Sequence, residues 1–405
     1  MERKILIIAP FISLPDEKGN SRFTYLAQLF SNCSYNVVLL TSQFSHITKR
    51  QRDIEKYDLM NLSYELHFLK SSSYSRNISI RRIISHIKLS YLVNKYLEKY
   101  GLEFSAIYCA LPIPEVAAVA AKFAKNNAIP FILDIQDIWP EAFKMVIPNM
   151  YLLNIIFFKM IRCNKIAFQY ANAIIGVSET YAKLAKYGVT DNRPMLSVFL
   201  GTDINDFNQQ VIKYENKIVK DSNEIWLGYA GTFGKSYDIK TMILGTEKVI
   251  KDGYNIRIIL LGDGPDKEKI LDLLKKKSIK YVYPGYVEYG LMGAYLKKCN
   301  ILVNCINRHS VSTVINKIAD YLAAGIPILN GSPSEELNKL VSDYYIGKNY
   351  IPENIDSFYT TLLDMISNVD QIDIMKSNSF KVANSRFDRA TSYQSIIHIV
   401  DSLVK

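Results

Sequence analysis

A predicted helix at residues 316–327, NKIADYLAAGIP, begins with an amide, a cation and a carboxylate within two turns. Asn316 and Asp320 are four residues apart and therefore share one helix face. Lys317 adds a positive charge near the helix N-terminus, whose free amide groups attract phosphate. Asp320, one turn further along, could accept hydrogen bonds from ribose hydroxyls. The pattern indicates a nucleotide site, and the alternative is a capped surface helix whose charged side chains are solvated.

Two glycine-containing loops follow predicted strands in the same half of the chain. In YAGTFGKSYD (229–238), Gly231 permits close backbone approach to a ligand and Lys235 adds a cation. In LLGDGP (260–265), Gly262 stands at another strand end, although Gly-Asp-Gly also forms ordinary turns. Neither loop is a Walker sequence, and no GxGxxG follows the first strand, which counts against a dinucleotide dehydrogenase. The loops favour phosphate contact, with tight turns as the alternative.

Carboxylates follow a predicted strand in the first half of the chain. The segment ILDIQDIWPEAF (132–143) contains Asp134, Asp137 and Glu141. Carboxylates at the end of a strand could polarise a hydroxyl group or act as a general base. The alternative is that Asp137 caps a helix and Glu141 favours its dipole, which would not exclude catalysis. These three residues are the candidate catalytic residues.

Apolar runs typical of buried strands alternate with helical patterns along the whole chain. They are KILIIAP, YNVVLLTS, AIYCAL, PFILDIQD, AIIGVS, IWLGYAG, IRIILLGDG, YVYPGYV, NILVNCI and IPILNGS. Such strands between helices predict parallel sheets covered on both faces, and two series predict two doubly wound α/β domains. Open sheets of this kind bind ligands beyond the carboxyl ends of their strands. Gly19, in the loop KGNSRF (18–23) after the first strand, is therefore a further candidate contact, with a simple turn as the alternative.

The chain length of 405 residues also favours two domains. The segment 201–223 is polar and strand-free, so it marks the break between them. We predict an N-terminal domain at 1–205, a C-terminal domain at 206–385, and a last helix at 386–405 that packs back on the first domain.

Charge and hydropathy predict a cytoplasmic protein with an anionic partner. The net charge is +10, and residues 1–200, with 24 basic and 15 acidic residues, carry +9 of it. The N-terminus lacks the long apolar core of a signal peptide, and no apolar run reaches the roughly 18 residues of a membrane-spanning helix.

Two segments of the first half, 74–100 and 151–168, combine many apolar residues with basic ones. Basic amphipathic helices are typical of proteins that bind anionic membrane surfaces. The alternative is a helix on the sheet with a solvated cationic face. Nucleic acid is not an expected partner, because no recognition motif occurs. We therefore expect a peripheral protein at the inner face of the cell membrane.

The chain resembles retaining glycosyltransferases of the GT-B fold, family 4 in the usual sequence classification, over nearly its whole length. Within that family it is most similar to the bacterial capsule and O-antigen type. DIQDIWPE resembles the D-x-x-D-[LI]-W-P-E element of that subgroup, and ANAIIGVSETYAK resembles the strand and helix that close its first domain. GTDINDF resembles the interdomain turn, YAGTFGKSYD the diphosphate loop, and NKIADYLAAGIPIL the donor helix. The resemblance implies two Rossmann-like domains facing across a cleft.

The resemblance also implies roles for residues of the donor site. Asp320 matches the second acidic residue of the family's E-x7-E motif, which binds the nucleotide ribose. Gly231 matches the glycine under the diphosphate. Thr232 stands where an arginine is common. Lys235 and Lys317 are therefore expected to supply the positive charge.

Two departures from the family pattern affect the donor sugar and the catalytic group. The first acidic residue of E-x7-E is replaced by Ser312, which is also a candidate N-cap of the donor helix. The family's active-site histidine is absent from DIQDIW. Asp134 or Asp137 would substitute for it.

The main hypothesis is a retaining glycosyltransferase. It would move a hexose or N-acetylhexosamine from a nucleotide sugar, expected to be UDP-linked, to a lipid-linked or oligosaccharide acceptor in O-antigen or capsule synthesis. No metal or other cofactor is expected, since lysines supply the charge and no DxD follows a strand in the second half. The alternatives are a nucleotide-sugar epimerase or hydrolase, and a non-catalytic scaffold homologue, which Ser312 would favour.

Overall fold

The computed structural model describes residues 3–17, 22–75, 79–137, 139–140, 149–185, 192–310 and 314–404. The chain divides into two compact units. Unit 1 comprises Met1–Val198 and Tyr393–Lys405, and unit 2 comprises Phe199–Ser392.

Unit 1 is built on a parallel sheet of seven described strands. They are β1 (Lys4–Ile8), β2 (Asn36–Ser42), β3 (Glu65–Leu69), β4 (Ala106–Leu111), β5 (Phe131–Ile135), β6 (Ala173–Gly176) and β7 (Met195–Ser197). Their order in the sheet is β3-β2-β1-β4-β5-β6-β7. The direction of strand addition therefore reverses between β1 and β4, which is the usual ligand crevice of such a sheet.

Helices cover both faces of this sheet. They are α1 (Arg22–Asn32), α2 (Ile54–Asp58), α3 (Ile80–Tyr100), α4 (Pro114–Asn126), α5 (Met150–Ile156), α6 (Phe158–Tyr170) and α7 (Glu179–Leu184), with a 3-10 turn at Gly101–Glu103. Successive residues of a strand point to opposite faces. Leu6 and Ile8 accordingly pack in a core with α3, α4 and α6, whereas Ile5 and Ile7 pack in a core with α1.

Unit 2 repeats the plan with six described strands. They are β8 (Ile225–Ala230), β9 (Ile256–Leu261), β10 (Lys280–Gly285), β11 (Ile301–Cys305), β12 (Ile328–Gly331) and β13 (Gly347–Asn349). All pairings are parallel, in the order β10-β9-β8-β11-β12-β13. The order reverses between β8 and β11, so the loops after these two strands flank the crevice of unit 2.

The helices of unit 2 connect its strands on both faces. They are α8 (Ile204–Ile212), α9 (Ile239–Lys251), α10 (Lys267–Lys276), α11 (Tyr289–Lys298), α12 (Lys317–Ala323), α13 (Glu335–Asp343), α14 (Ile355–Ser367), α15 (Val369–Val382) and α16 (Arg389–Ser392). A 3-10 turn occupies Glu215–Lys217, and a π-helical turn occupies Ala383–Phe387.

The last helix, α17 (Gln394–Leu403), belongs to unit 1. Ile396, Ile397 and Val400 are buried in the same core as α1. The units meet in the chain at 198/199 and 392/393, whereas the predicted domain boundaries were 205/206 and 385/386.

The predicted class, two doubly wound α/β domains, is confirmed, and all ten predicted strands are present. Three described strands, β3, β7 and β13, were not predicted. Within the described ranges, no helix combines the length and the apolar composition needed to cross a membrane.

Candidate functional site

The ammonium group of Lys317 is buried where the strand order of unit 2 reverses. Lys317 begins α12, after β11, and its Nζ lies 4.1 Å from the ring centroid of Tyr229 on β8 and 4.5 Å from that of Tyr237. Among the described residues, nothing accepts a hydrogen bond from this Nζ. Burial lowers the pKa of Lys317 to about 8. Because a buried cation without a hydrogen-bond acceptor or a carboxylate opposes folding, its position favours a function that requires positive charge there.

The loop after β8 is held against the loop after β9 by two glycines. A Cβ on Gly262, where φ is +130°, would lie 2.0 Å from the carbonyl oxygen of Gly231, so only glycine allows this packing. Gly231 itself has a φ of +149°, and a Cβ there would lie 3.6 Å from Lys317 Nζ. Gly262 therefore acts through packing, whereas Gly231 presents bare backbone beside the buried ammonium.

The Asp320 carboxylate lies in α12, three residues after Lys317. Tyr289 Oη donates a hydrogen bond to Asp320 Oδ1 at 2.6 Å and lies 2.7 Å from Thr202 Oγ1. Burial raises the pKa of Asp320 to about 6, opposed by Tyr289 and by the nearby Arg389 guanidinium. Unit 2 thus holds a titratable carboxylate and a titratable ammonium on one helix, both with pKa values near neutrality.

The other predicted donor-site residues of unit 2 are exposed. Lys235 lies in the loop after β8, and Asn316 occupies the N-cap position of α12 without a capping hydrogen bond from its side chain. The helix begins at Lys317, whereas the candidate N-cap Ser312 would have placed its start earlier. Ser312 lies outside the described residues.

Asp134 in unit 1 is wholly buried in β5. Its Oδ2 accepts a hydrogen bond from Arg22 Nε at 2.7 Å and another from Tyr108 Oη. Arg22 also donates to the Val198 carbonyl oxygen at 3.0 Å, and the Asp134 carboxylate raises the pKa of Arg22, against the effect of burial. This is an interior ion pair that joins α1 to the sheet. Its geometry does not support the predicted catalytic role of Asp134.

Asp137 lies past the end of β5 and is half-buried. Its Oδ2 accepts a hydrogen bond from Trp139 Nε1 at 2.9 Å. Trp139 and Pro140 form a turn, and the rest of the helix that Asp137 was alternatively expected to cap lies outside the described residues. Of the other unit 1 candidates, Glu141 and Gly19 lie outside the described residues.

Several groups at the unit 2 site could not be identified from local sequence. Tyr229 and Tyr237 contact Lys317, whereas Tyr289, Thr202 and Arg389 surround Asp320. These residues come from separate elements that the fold brings together. The only sequence feature that could have identified any of them is a position at or after the end of a strand. Tyr229 and Tyr237 have such a position, and the other three residues do not.

Comparison with solved structures gives matches over essentially the whole chain. Anabaena HepE in complex with UDP matches at 15% identity and a TM-score of 0.69, covering 99% of this chain and 100% of its own. Sucrose-phosphate synthase from Thermosynechococcus elongatus matches at 12% identity and a TM-score of 0.74, covering 99% of each chain. The apo form of the lipopolysaccharide outer core galactosyltransferase WaaB matches at 16% identity and a TM-score of 0.65, covering 98% of this chain and 99% of its own.

No protein-family model matches the sequence, and no curated protein matches it either. Structural matches at 12 to 16% identity establish a fold rather than an activity. Together with two Rossmann-like sheets of seven and six strands, they show that this chain has the GT-B fold.

Proposed function

We propose that the protein is a glycosyltransferase that takes a sugar from a nucleotide-sugar donor bound by unit 2. The observation that carries this proposal is the buried Lys317 ammonium, which lacks a hydrogen-bond acceptor among the described residues and lies beside Gly231. A diphosphate would supply both the acceptors and the negative charge. HepE, which has the same fold, was crystallised with UDP and with UDP-glucose, which supports uracil as the base.

In this proposal the diphosphate binds against Gly231 and Lys317, with Lys235 and Asn316 at the exposed side. The ribose hydroxyls donate hydrogen bonds to Asp320. When the bond between the anomeric carbon and the diphosphate breaks, negative charge develops on the leaving diphosphate, and the preorganised ammonium stabilises it. The lysine would supply this charge without a divalent metal.

The acceptor half of the proposal concerns unit 1. Asp137, past the end of β5, would orient the attacking hydroxyl or accept its proton. The sequence resemblance to family 4 supports retention of configuration at the anomeric carbon. It also supports a lipid-linked acceptor of O-antigen or capsule synthesis.

The donor assignment is tested by the thermal unfolding midpoint in the presence of UDP, GDP, dTDP and their sugars. A ligand that binds only the folded protein at 100 times its Kd stabilises it by about 2.7 kcal/mol. That corresponds to roughly 5–10 °C for a unit of this size. We expect such a shift with UDP and UDP-glucose and none with uridine, which lacks the diphosphate.

No shift with any nucleotide would contradict the donor assignment and favour the scaffold alternative. Release of UDP from UDP-glucose at full rate without an acceptor would instead favour a hydrolase.

We also propose that unit 1 associates with an anionic membrane surface through α3, α5 and α6. Helix α3 exposes Ile84 and Tyr91 by 55 and 56%, and the α5–α6 junction exposes Ile155 and Phe158 by 58 and 65%. α3, α4 and α6 pack on the same face of the sheet, and α3 also carries exposed basic residues such as Arg81 and Lys88. Apolar side chains among cations suit the boundary between lipid headgroups and acyl chains.

Sedimentation with vesicles that contain anionic lipid measures this association. Phe158→Ser should weaken binding by about tenfold, since an inserted aromatic side chain contributes roughly 1.5 kcal/mol or more. Val219→Ser, at a position of unit 2 that is 87% exposed, is the matched control and should have no effect. Equal losses in both variants, or equal binding to uncharged vesicles, would rule out the proposed surface.

A further inference from the structure

Basic and aromatic side chains from three consecutive loop regions meet at the carboxyl edge of the unit 1 sheet. His46 and Lys49 follow β2, Tyr74 follows β3, and Arg82 and His86 lie in the first two turns of α3. We call His46, Lys49, Arg82 and His86 the basic cluster. Ligands of open parallel sheets bind beyond this edge.

The members of the basic cluster contact one another and the aromatic rings of Trp139 and Tyr74. Lys49 Nζ lies 3.3 Å from His46 Nδ1, and Arg82 Nε lies 3.4 Å from His86 Nε2. The Arg82 guanidinium carbon lies 4.6 Å from the ring centroid of Trp139, and Lys49 Nζ lies 5.0 Å from that of Tyr74. Four side chains that can carry positive charge are therefore crowded into one place.

The crowding opposes protonation of the two histidines. Burial, together with Lys49 and Arg82, lowers the pKa of His46 to about 4. Burial, together with Arg82 and His46, lowers the pKa of His86 to about 3. Asp137 is the carboxylate that acts on Arg82 from the neighbouring loop. An additional negative charge nearby would therefore stabilise the basic cluster.

The hydrogen bonding of His86 identifies a donor that has no acceptor in the described structure. Arg82 Nε donates to His86 Nε2, so in the neutral ring the proton is on Nδ1. His86 is only 3% exposed, and its Nδ1 has no hydrogen-bond partner among the described residues. A buried N–H group normally finds an acceptor, so its position points to an oxygen-bearing ligand.

We propose that the basic cluster binds a phosphate group of the acceptor, with Lys49 and Arg82 supplying charge and His86 Nδ1 donating a hydrogen bond. The inference rests on the proposed transfer reaction only in calling this ligand the acceptor. The phosphate could belong to a soluble sugar phosphate or to the diphosphate that joins a sugar to a lipid. Ile83, Ile84 and Ile87, exposed on the same helix as Arg82, favour the lipid source.

The test uses the Lys317→Met protein, in which the buried ammonium of unit 2 is absent and phosphate binding there is expected to be weakened. Glucose 1-phosphate and farnesyl diphosphate are titrated calorimetrically, and we expect both to bind. Adding Arg82→Gln should weaken binding about tenfold or more, as expected for a charge-assisted contact. Adding Arg81→Gln, at the exposed neighbouring position of the same helix, should change binding less than about twofold. Arg82→Lys should restore part of the loss, which a folding defect would not allow.

Tighter binding of farnesyl diphosphate would identify the lipid source, and tighter binding of glucose 1-phosphate the soluble one. No binding of either probe, or equal losses with Arg81→Gln and Arg82→Gln, would overturn the proposal. The thermal shift with UDP, measured on Arg82→Gln alone, separates this result from the proposed function. If phosphate binding depends on Arg82 but UDP does not raise the unfolding midpoint, the basic cluster remains a phosphate site and only the proposed donor site is contradicted.

Discussion

The substitution Lys317→Met is expected to weaken UDP-glucose binding by about 10- to 150-fold, since a charge-assisted hydrogen bond contributes roughly 1.5–3 kcal/mol. Methionine fills a similar volume but cannot neutralise a diphosphate. In the free protein the substitution removes a buried cation that lacks an acceptor among the described residues. We therefore expect the unfolding midpoint of the free variant not to fall. Lost affinity with retained stability is the signature of a residue kept for ligand binding.

Calorimetric titration of the purified variants measures the effect. Lys240→Met, which removes an exposed lysine from α9, serves as the matched control and should bind as the unsubstituted protein does. Unchanged affinity in Lys317→Met would show that the buried ammonium serves another purpose.

We expect the affinity of this site for UDP-glucose to be greatest between about pH 6 and pH 8. Ribose hydroxyls need the ionised Asp320, whose pKa is raised to about 6, so affinity should fall as the pH drops below 6. The diphosphate needs the protonated Lys317, whose pKa is lowered to about 8, so affinity should also fall above pH 8. UDP-glucose is the suitable probe because its phosphates are diesters, whereas the terminal phosphate of UDP titrates near pH 6. Asp320→Asn should flatten the acidic limb, and Lys317→Met the alkaline one.

The second large effect is expected on stability. Asp134→Ala should destabilise unit 1 by about 3–5 kcal/mol, because it leaves the buried Arg22 guanidinium without its carboxylate. For a unit of this size that corresponds to a midpoint lower by roughly 6–20 °C. Thermal unfolding followed by circular dichroism measures the change.

Two comparisons make the stability result specific. Glu179→Gln removes an exposed ion pair with Lys183, and should cost less than about 1 kcal/mol. Asp137→Asn should lower turnover with little effect on the midpoint. If Asp134→Ala proved as stable as Glu179→Gln, the interior ion pair would not hold α1 to the sheet as described.

The fold was predictable because its strands are nearly continuous apolar runs, which few other structures accommodate. The missed strands are those in which this signal is weak. β7 and β13 are three residues long, and β3, at the edge of its sheet, reads ELHFL with polar residues at two positions.

The candidate site was predictable where its residues are close in sequence. Lys317 and Asp320 share one helix turn, so their spacing was informative. Tyr289 and Arg389 reach Asp320 from distant parts of unit 2, and a single sequence holds no record of such contacts. Asp134 lies within β5 rather than after it, and its side chain pairs with Arg22 of α1, a contact that the local sequence does not reveal.

The return of α17 to unit 1 has a consequence for the order in which a growing chain can fold. Unit 2 is one continuous stretch, Phe199–Ser392, and all of it leaves the ribosome before Tyr393 does. Arg22 donates a hydrogen bond to Tyr393 Oη at 3.3 Å, and Ile396, Ile397 and Val400 complete the core against α1. β1 and α1 are therefore synthesised well before the helix that completes their core. During synthesis, the face of the unit 1 sheet that α1 covers stays partly exposed until α17 has been translated.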